Sequence, residues 1–408
     1  MEDTAGQFKV KQKKSVLMLA MSQYGDWRGG VQNRNFHIFD QMEQDADLEK
    51  ILVVSFAPTT WRRAIKLFLR ELLFKGKTIK RFWGARCYQV SPKVYVYASL
   101  NNYLKGNDIV NLRYLSEKLD LGEKIVWHYD VLHYDQYRDL KNAGDVQVFD
   151  AVDNWLEHSS YKKFKTRLET NYRNLLQDSD LVLSVSRALA DYLREHSAHP
   201  ERVHFVPNAS DRSLLERGML FDKKQKSLLD EAKKKYSGIL GYIGVIQKDR
   251  LDFALLEEIL KKYRDKAVVL AGPIWKDLRE RCRDLAEKYN NLILLGNVHR
   301  DDWRAVADYF DLAIAPHLTG GFMSYISPTK IYEYLAVGLP VVSTPVSDVD
   351  LLAGEATIAS TPVEFLAAIE RLLAEETHLK RVARQKFIAD NHLWEKRYAE
   401  IKNLLQNL

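Results

Sequence analysis

"SPTKIYEYLAVGLPVVSTP", residues Ser327–Pro345, opens a helical pattern with a proline and sets Lys330 and Glu333 three positions apart. Proline fits the first turn of a helix, where its missing N–H costs nothing. Ser327 suits the N-cap, and Thr329 and Lys330 then lie beside the free amides. Residues three apart share a helix face. Ile331, Tyr334, Leu335 and Val337 form an apolar stripe, and after a Gly-Leu-Pro break comes "PVVST", a short buried strand. A helix running straight into a core strand is one step of an α/β alternation. Two roles fit the polar pair. A phosphate at the helix N-terminus would meet backbone donors, the positive dipole end and the Lys330 ammonium, while Glu333 accepted from a ribose diol. Alternatively, Lys330 and Glu333 pair with each other on a wet surface.

The same alternation runs along the chain. Candidate strands lie at 15–22, 51–57, 93–100, 124–129, 146–152, 181–186 and 202–207. A polar, Lys-rich stretch follows Asn208, and a second series begins at 238–245, 267–272, 292–297, 311–316 and 340–344. Apolar runs separated by helical patterns predict parallel sheets covered on both faces. The expected fold is therefore α/β, with two Rossmann-like doubly wound domains. The boundaries expected are an N-terminal domain over 1–215, a C-terminal domain over 216–392, and a closing helix over 393–408 that packs back toward the first domain. In open α/β sheets ligands sit beyond the carboxyl ends of the strands, and with two domains the cleft between them is the expected site.

Composition excludes several classes. At 408 residues the chain suits two domains rather than one core. With 46% hydrophobic and 28% charged residues it is globular. Cys87 and Cys282 stand far apart in no metal spacing, which predicts inert thiols and a reducing, cytoplasmic setting. The first 22 residues read as a basic tail entering a buried strand, not as a signal peptide. No stretch approaches the roughly 20 apolar residues of a membrane span.

The strand ends carry the polar chemistry. Gly25, Gly29 and Gly30 after the first strand allow a ligand close to the backbone, but they are not GxGxxG, and no acid follows the second strand, which argues against a dinucleotide. His128, Asp130, Asp150, Asp153 and Trp155 follow the fourth and fifth strands. One of these could take a proton from an acceptor hydroxyl, although loop-end Asp also caps helices. Gly244 with Lys248 and Arg250 suits a diphosphate, against the alternative of a solvated helix start. Turns near Val298 offer backbone groups to a nucleotide base.

"WRRAIKLFLRELLFKGKTIKRFW", residues Trp61–Trp83, holds eight Lys/Arg and one acid, Glu71. Trp61, Ile65, Phe68, Leu69 and Leu72 share a helical face, with Arg62, Arg63, Lys66 and Arg70 beside it. That combination predicts a helix lying on an anionic membrane surface. A nucleic-acid groove fits less well, because no nucleic-acid module accompanies it. A core-facing helix with a wet basic side is the plainer reading.

Taken together, the motifs resemble those of GT-B-fold glycosyltransferases, particularly bacterial family-4-like and related polysaccharide enzymes. The residues that carry the resemblance are the opening stretch, "GG" after the first strand, "DLVLSVSRALADYL", "RVHFVPNASD", "GYIG", "LAGP", "LLGNV" and the closing "WEKRYAEI". It implies a nucleotide diphosphate-sugar donor, with uridine favoured, bound by Gly30, Gly244, Lys248, Arg250, Val298, Tyr325, Ser327, Thr329, Lys330 and Glu333. Within that set Glu333 would hold the ribose, and Lys330, Lys248 and Arg250 the diphosphate. No cofactor or metal is implied. Where the retaining enzymes keep a glutamate eight positions before Glu333, this chain has Tyr325. The Lys-x-x-Glu arrangement also resembles that of the inverting glucuronosyltransferase of xanthan synthesis, with Asp153 as the counterpart of its base, so both retention and inversion stay open, inversion being favoured. His128 and Asp130 are the further catalytic candidates. Asp348-Val349-Asp350 matches Asp-x-Asp only as text. The expected activity is sugar transfer to a lipid-linked or glycan acceptor, such as a polyprenyl-diphosphate-linked glycan, in bacterial exopolysaccharide or capsule synthesis. The enzyme would be cytoplasmic, peripheral on the inner face of the membrane, with Trp61, Arg62, Arg63, Lys66, Phe68 and Arg70 facing the lipid and no nucleic-acid partner. A sugar-nucleotide epimerase of the same fold and a non-catalytic assembly protein are the alternatives.

Overall fold

A computed structural model describes residues 13–73, 76–216, 218–219, 222–352 and 354–408. Residues 1–12 of the expected basic tail, and Phe74 and Lys75 of the basic stretch, lie outside these. The chain divides into two units. One comprises Met1–Tyr24, Phe39–Phe149 and Asp178–Asp180; the other comprises Gly25–Ile38, Asp150–Gln177 and Leu181–Leu408.

The first unit carries β1 (Lys14–Leu19), β2 (Leu48–Val54), β3 (Lys77–Phe82), β4 (Ala85–Gln89), β5 (Val94–Ser99) and β6 (Lys124–His128), and β7 (Val146–Ala151) runs to its end. Their order is β3-β4-β5-β2-β1-β6-β7. Strand β1 pairs parallel with both β2 and β6, and Val16, Leu17 and Met18 are fully buried, as an apolar run covered on both faces requires. The β3–β4 hairpin is antiparallel and was not anticipated. Its outer strand, "KTIKRF", is mostly exposed, and an edge strand needs no apolar run to persist. The amphipathic segment before it forms a helix over Trp61–Leu73.

In the second unit β8 (Leu181–Ser184) pairs parallel with β9 (Val203–Phe205). A six-stranded sheet follows, built from β10 (Ile239–Ile243), β11 (Ala267–Ala271), β12 (Leu292–Gly296), β13 (Leu312–Ala315), β14 (Val341–Ser343) and β15 (Ala356–Ile358). The order is β12-β11-β10-β13-β14-β15, and every pair is parallel. Successive residues feed opposite faces. Ile239, Ile243, Val269 and Ala271 join one apolar cluster, whereas Leu240, Tyr242, Val268 and Leu270 join another. Strand order reverses between β10 and β13, so the residues leaving those two strands stand at the switch point. The closing helix, Trp394–Gln406, belongs to this second unit. Among the described residues no helix is long and apolar enough to cross a membrane.

Candidate functional site

The opening stretch folds as a helix over Thr329–Val337. Pro328, not Ser327, is the N-cap, and no side chain caps the first turn. Ser327 serves through its carbonyl, which accepts from Asn208 Nδ2 at 2.8 Å. The first-turn amides are therefore left without a side-chain acceptor. Helix position is set by Tyr334, whose hydroxyl accepts from the Ile243 amide at 2.7 Å, at the end of β10. Its ring stacks on Trp303 at 5.8 Å.

Lys330 lies across Gly244. A Cβ added to Gly244 would stand 1.8 Å from Lys330 Cε, so only glycine lets the lysine cross there. Gly272, leaving β11, backs onto the same turn, and a Cβ there would come within 2.1 Å of the Gly244 carbonyl oxygen. Burial, and next the charge of Arg250, push the Lys330 ammonium down to about 8, with Glu333 acting weakly the other way. Among the described residues no carboxylate forms an ion pair with Lys330, so the Lys330–Glu333 surface pair considered from spacing is not the arrangement found. Arg250 is half-buried beside the Phe322 ring, 5.8 Å from its centroid, and its Nε is buried without a hydrogen-bond partner. Lys248, by contrast, is exposed.

Two histidines that sequence reading passed over join this group. His317, leaving β13, is buried and held near 3 by desolvation and by the charges of Lys330 and Arg250, which makes it neutral; its Nδ1 lacks a partner. Its position after a strand end was the available signal. His158, edge-on to Phe322 at 4.9 Å, is lowered by burial and by Arg250. Lys330 and Arg250, two cations held close together and, for Lys330, with no ion-paired acid among the described residues, form the kind of charge an anion site uses.

Asp153 belongs to the same unit. Burial pushes its carboxyl up to about 6, against the opposing pull of Arg250. Its backbone is fixed by Tyr172, whose hydroxyl donates to the Asp153 carbonyl at 2.8 Å. The other two catalytic candidates lie in the first unit and are differently occupied. Asp130 accepts from the His133 amide at 3.1 Å and faces His133 Nδ1 at 2.7 Å, closing its own loop. His128 is wholly buried, lowered to about 3 by desolvation, and neither ring nitrogen has a hydrogen-bond partner. Asp150 is clamped by Arg34 Nε at 2.8 and 3.1 Å, and Arg34 also donates to the Val206 carbonyl.

Glu333 has a partner that sequence reading did not foresee. Arg300 Nη1 stands 2.8 Å from Glu333 Oε1, both side chains being almost fully buried. Arg300 Nη2 approaches Asp211 at 3.8 Å, as does His37 Nδ1, and His37 stacks on Trp394 at 4.7 Å. Gly30 reaches this network, with its missing Cβ 3.3 Å from the Arg300 amide. Thr329 and Val298 are half-buried. Tyr325 is half-buried too, and its carbonyl accepts from Ser186 Oγ at 2.9 Å. Asp348 and Asp350 are both engaged by Arg187, at 3.0 and 2.6 Å.

In the first unit Trp61, Arg62, Arg63, Lys66 and Phe68 are exposed and Leu67 faces inward. Arg70 is half-buried and donates to Gln23 Oε1 at 2.6 Å. Both cysteines are buried free thiols, and burial pushes Cys87 up to about 12.

A strand-order switch, two neighbouring cations and a lysine across a glycine turn coincide in the second unit. Residues 237–375 match the family model of glycosyl transferases group 1. TuaH of Bacillus subtilis (strain 168), whose name proposes it as a glycosyltransferase of teichuronic acid biosynthesis, is 24% identical over 245 residues. That match spans 57% of this chain and 59% of TuaH. Among solved structures, Anabaena Alr3699/HepE in complex with UDP aligns over 97% of this chain and all of its own, at 14% identity and a TM-score of 0.66. Sucrose-phosphate synthase from Thermosynechococcus elongatus aligns over 97% and 99%, at 13% identity and a TM-score of 0.70. HepE has also been solved with UDP-glucose, at a TM-score of 0.65 and 14% identity, over 97% of this chain and all of its own. These likenesses establish the fold as the GT-B class of two Rossmann-like domains.

Proposed function

We propose that the chain is a glycosyltransferase that moves a sugar from a nucleotide diphosphate-sugar to a lipid-linked or glycan acceptor in bacterial cell-surface polysaccharide synthesis. The observation that carries the reading is Lys330. It is a desolvated ammonium at a helix N-terminus, laid across Gly244 beside Arg250, with no acid paired to it among the described residues. A diphosphate would supply the missing negative charge, met by Lys330, Arg250 and the amides of Thr329 and Lys330 in the helix's first turn. Uridine is the favoured base, supported by the HepE complexes with UDP and UDP-glucose. Arg300 engages Glu333 through Oε1, so Oε2 is the oxygen assigned to the ribose diol.

The proposed reaction uses Asp153 as base. Its carboxylate takes the acceptor hydroxyl proton as that oxygen bonds to the sugar's anomeric carbon, and the bond from that carbon to the diphosphate breaks. The electron pair leaves with the nucleoside diphosphate, whose charge Lys330 and Arg250 stabilise. Attack on the face opposite the leaving group inverts the anomeric centre. A carboxyl poised near 6 is ionised at neutral pH yet more basic than a surface aspartate. The exposed Trp61 and Phe68 with Arg62, Arg63 and Lys66 are assigned to an anionic membrane surface, which favours a polyprenyl-diphosphate-linked acceptor.

A thermal-shift panel of UDP, GDP, ADP and their sugars tests donor binding, since a specific ligand raises Tm by mass action. UDP and one UDP-sugar are expected to stabilise the protein, and Lys330→Ala to shrink the shift markedly at equal ligand concentration. No shift with any nucleotide sinks the proposal. Conversion of a UDP-sugar without acceptor would point to epimerisation instead.

A further inference from the structure

The exposed apolar residues of the first unit surround a hollow. A cavity of about 370 Å³ opens between the Trp61–Leu73 helix, the β3–β4 hairpin and the loop after β5. Its walls include Leu67, Phe68, Phe82, Trp83, Ala98 and Leu104. The volume falls within the roughly 300–1,000 Å³ of small-molecule pockets. Three of these walls, Phe68 (49% exposed), Trp83 (75%) and Leu104 (41%), also form the apolar surface outside, so the cavity and the patch are continuous. The mouth is braced, because Trp83 Nε1 donates to the Leu104 carbonyl at 2.9 Å and ties the hairpin turn to the loop.

Charge identifies the occupant. From Trp61 to Lys105 the chain places 11 of its 61 Lys and Arg but one of its 55 acids. Arg62, Arg63, Lys66, Lys77, Lys80, Arg81 and Lys105 are all exposed there, and Arg81 itself lines the cavity. An apolar hollow with Arg81 and Arg86 in its wall, on a stretch rich in further exposed cations, matches a molecule with a hydrocarbon chain and an anionic head. A peptide partner of mixed charge would leave the cations unmatched.

We infer that this cavity receives one hydrocarbon chain of an anionic membrane lipid, with the phosphate held by the exposed Arg81 at its wall. The inference rests on the membrane-facing assignment above and narrows it from a surface to a site. Surface docking alone needs exposed side chains; a chain-binding cavity adds saturation at one lipid per protein.

Dodecyl phosphate below its micelle concentration is the probe, titrated by calorimetry into the full-length protein. Inorganic phosphate and dodecyl maltoside serve as controls for the head and the chain. Saturable one-site binding of dodecyl phosphate is expected, at least tenfold tighter than either control. Phe68→Glu and Leu104→Glu are expected to weaken it at least tenfold while keeping a cooperative unfolding transition and the UDP-induced Tm rise. Both positions are partly exposed, which protects the fold of the variants. No binding, or equal binding by wild type and both variants, overturns the inference. Binding to phosphatidylglycerol vesicles without dodecyl phosphate binding leaves surface docking standing and overturns the cavity. Dodecyl phosphate binding in a protein that ignores UDP supports the cavity and removes the transferase reading instead.

Discussion

Arg300 Nη1 sits 2.8 Å from Glu333 Oε1, a buried ion pair between residues 33 positions apart. It joins the start of the Arg300–Ala307 helix to the face that also carries Lys330. Removing one partner of such a pair strands the other charge in a poorly solvated place. Arg300→Met is expected to cost about 3–5 kcal/mol, read from denaturant unfolding. Replacing both residues with apolar ones should recover most of that stability and still abolish UDP binding. A single variant as stable as wild type would show that the pair is solvated.

Lys330→Ala should behave in the opposite way. The free protein loses a desolvated cation, so its stability holds or rises, while UDP affinity falls by about 1.5–3 kcal/mol, or roughly 10–150-fold. The pH dependence follows from the ammonium poised at about 8. Below that pH the lysine is charged and UDP binds fully; above it affinity declines, up to tenfold per unit. Without ligand the sign reverses. The folded value lies below the ordinary 10.5, so the unfolded chain holds the proton more firmly and stability rises from about pH 8 toward 10.5. Calorimetric titrations at pH 7 and 9, with Lys330→Met alongside, check both.

Asp153→Asn should leave UDP binding intact and lower transfer by about 10²–10⁴-fold, the range of a lost general base. In the wild type the base must be ionised, so the rate climbs through about pH 6 and levels off above it. Below that value it should drop tenfold per unit. Anomeric NMR of the product tests inversion directly, and a retained configuration would remove Asp153 from the role.

Two glycines separate binding from folding. Gly244→Ala meets the flexible end of Lys330, which can swing aside, so the variant should fold but bind UDP more weakly. Gly272→Ala meets the Gly244 backbone at 2.1 Å, where nothing can yield cheaply. It is expected to destabilise by more than 2 kcal/mol in thermal unfolding, at the upper end of ordinary substitutions. Equal stability of the two variants would refute the distinction.

Much of the architecture was legible because buried parallel strands must be apolar throughout. "SVLML", "ILGYI", "AVVLA" and "LAIA" could hardly be anything else between helical patterns. The strands that escaped notice carry no such mark. β3 is a Lys/Arg-rich edge whose pairing comes from its hairpin, and β15 is three residues long. Ser327 as a cap failed for a different reason. The proline after it takes the N-cap position, and Asn208, 119 positions away, claims the serine carbonyl.

By itself, then, the sequence determined the α/β class, the helix that carries Lys330 and Glu333 on one face, and the strand ends where polar chemistry gathers. Those are local consequences of periodicity and turn residues, which act within a few positions of the chain. Only the tertiary structure decided which charges meet. It gave Glu333 to Arg300, set Arg250 rather than the exposed Lys248 beside Lys330, and added His317 and His158. It also drew Asp153 up to about 6. Spacing cannot supply these, because the strength of a charge depends on how far folding removes it from water and on which distant strand ends arrive beside it.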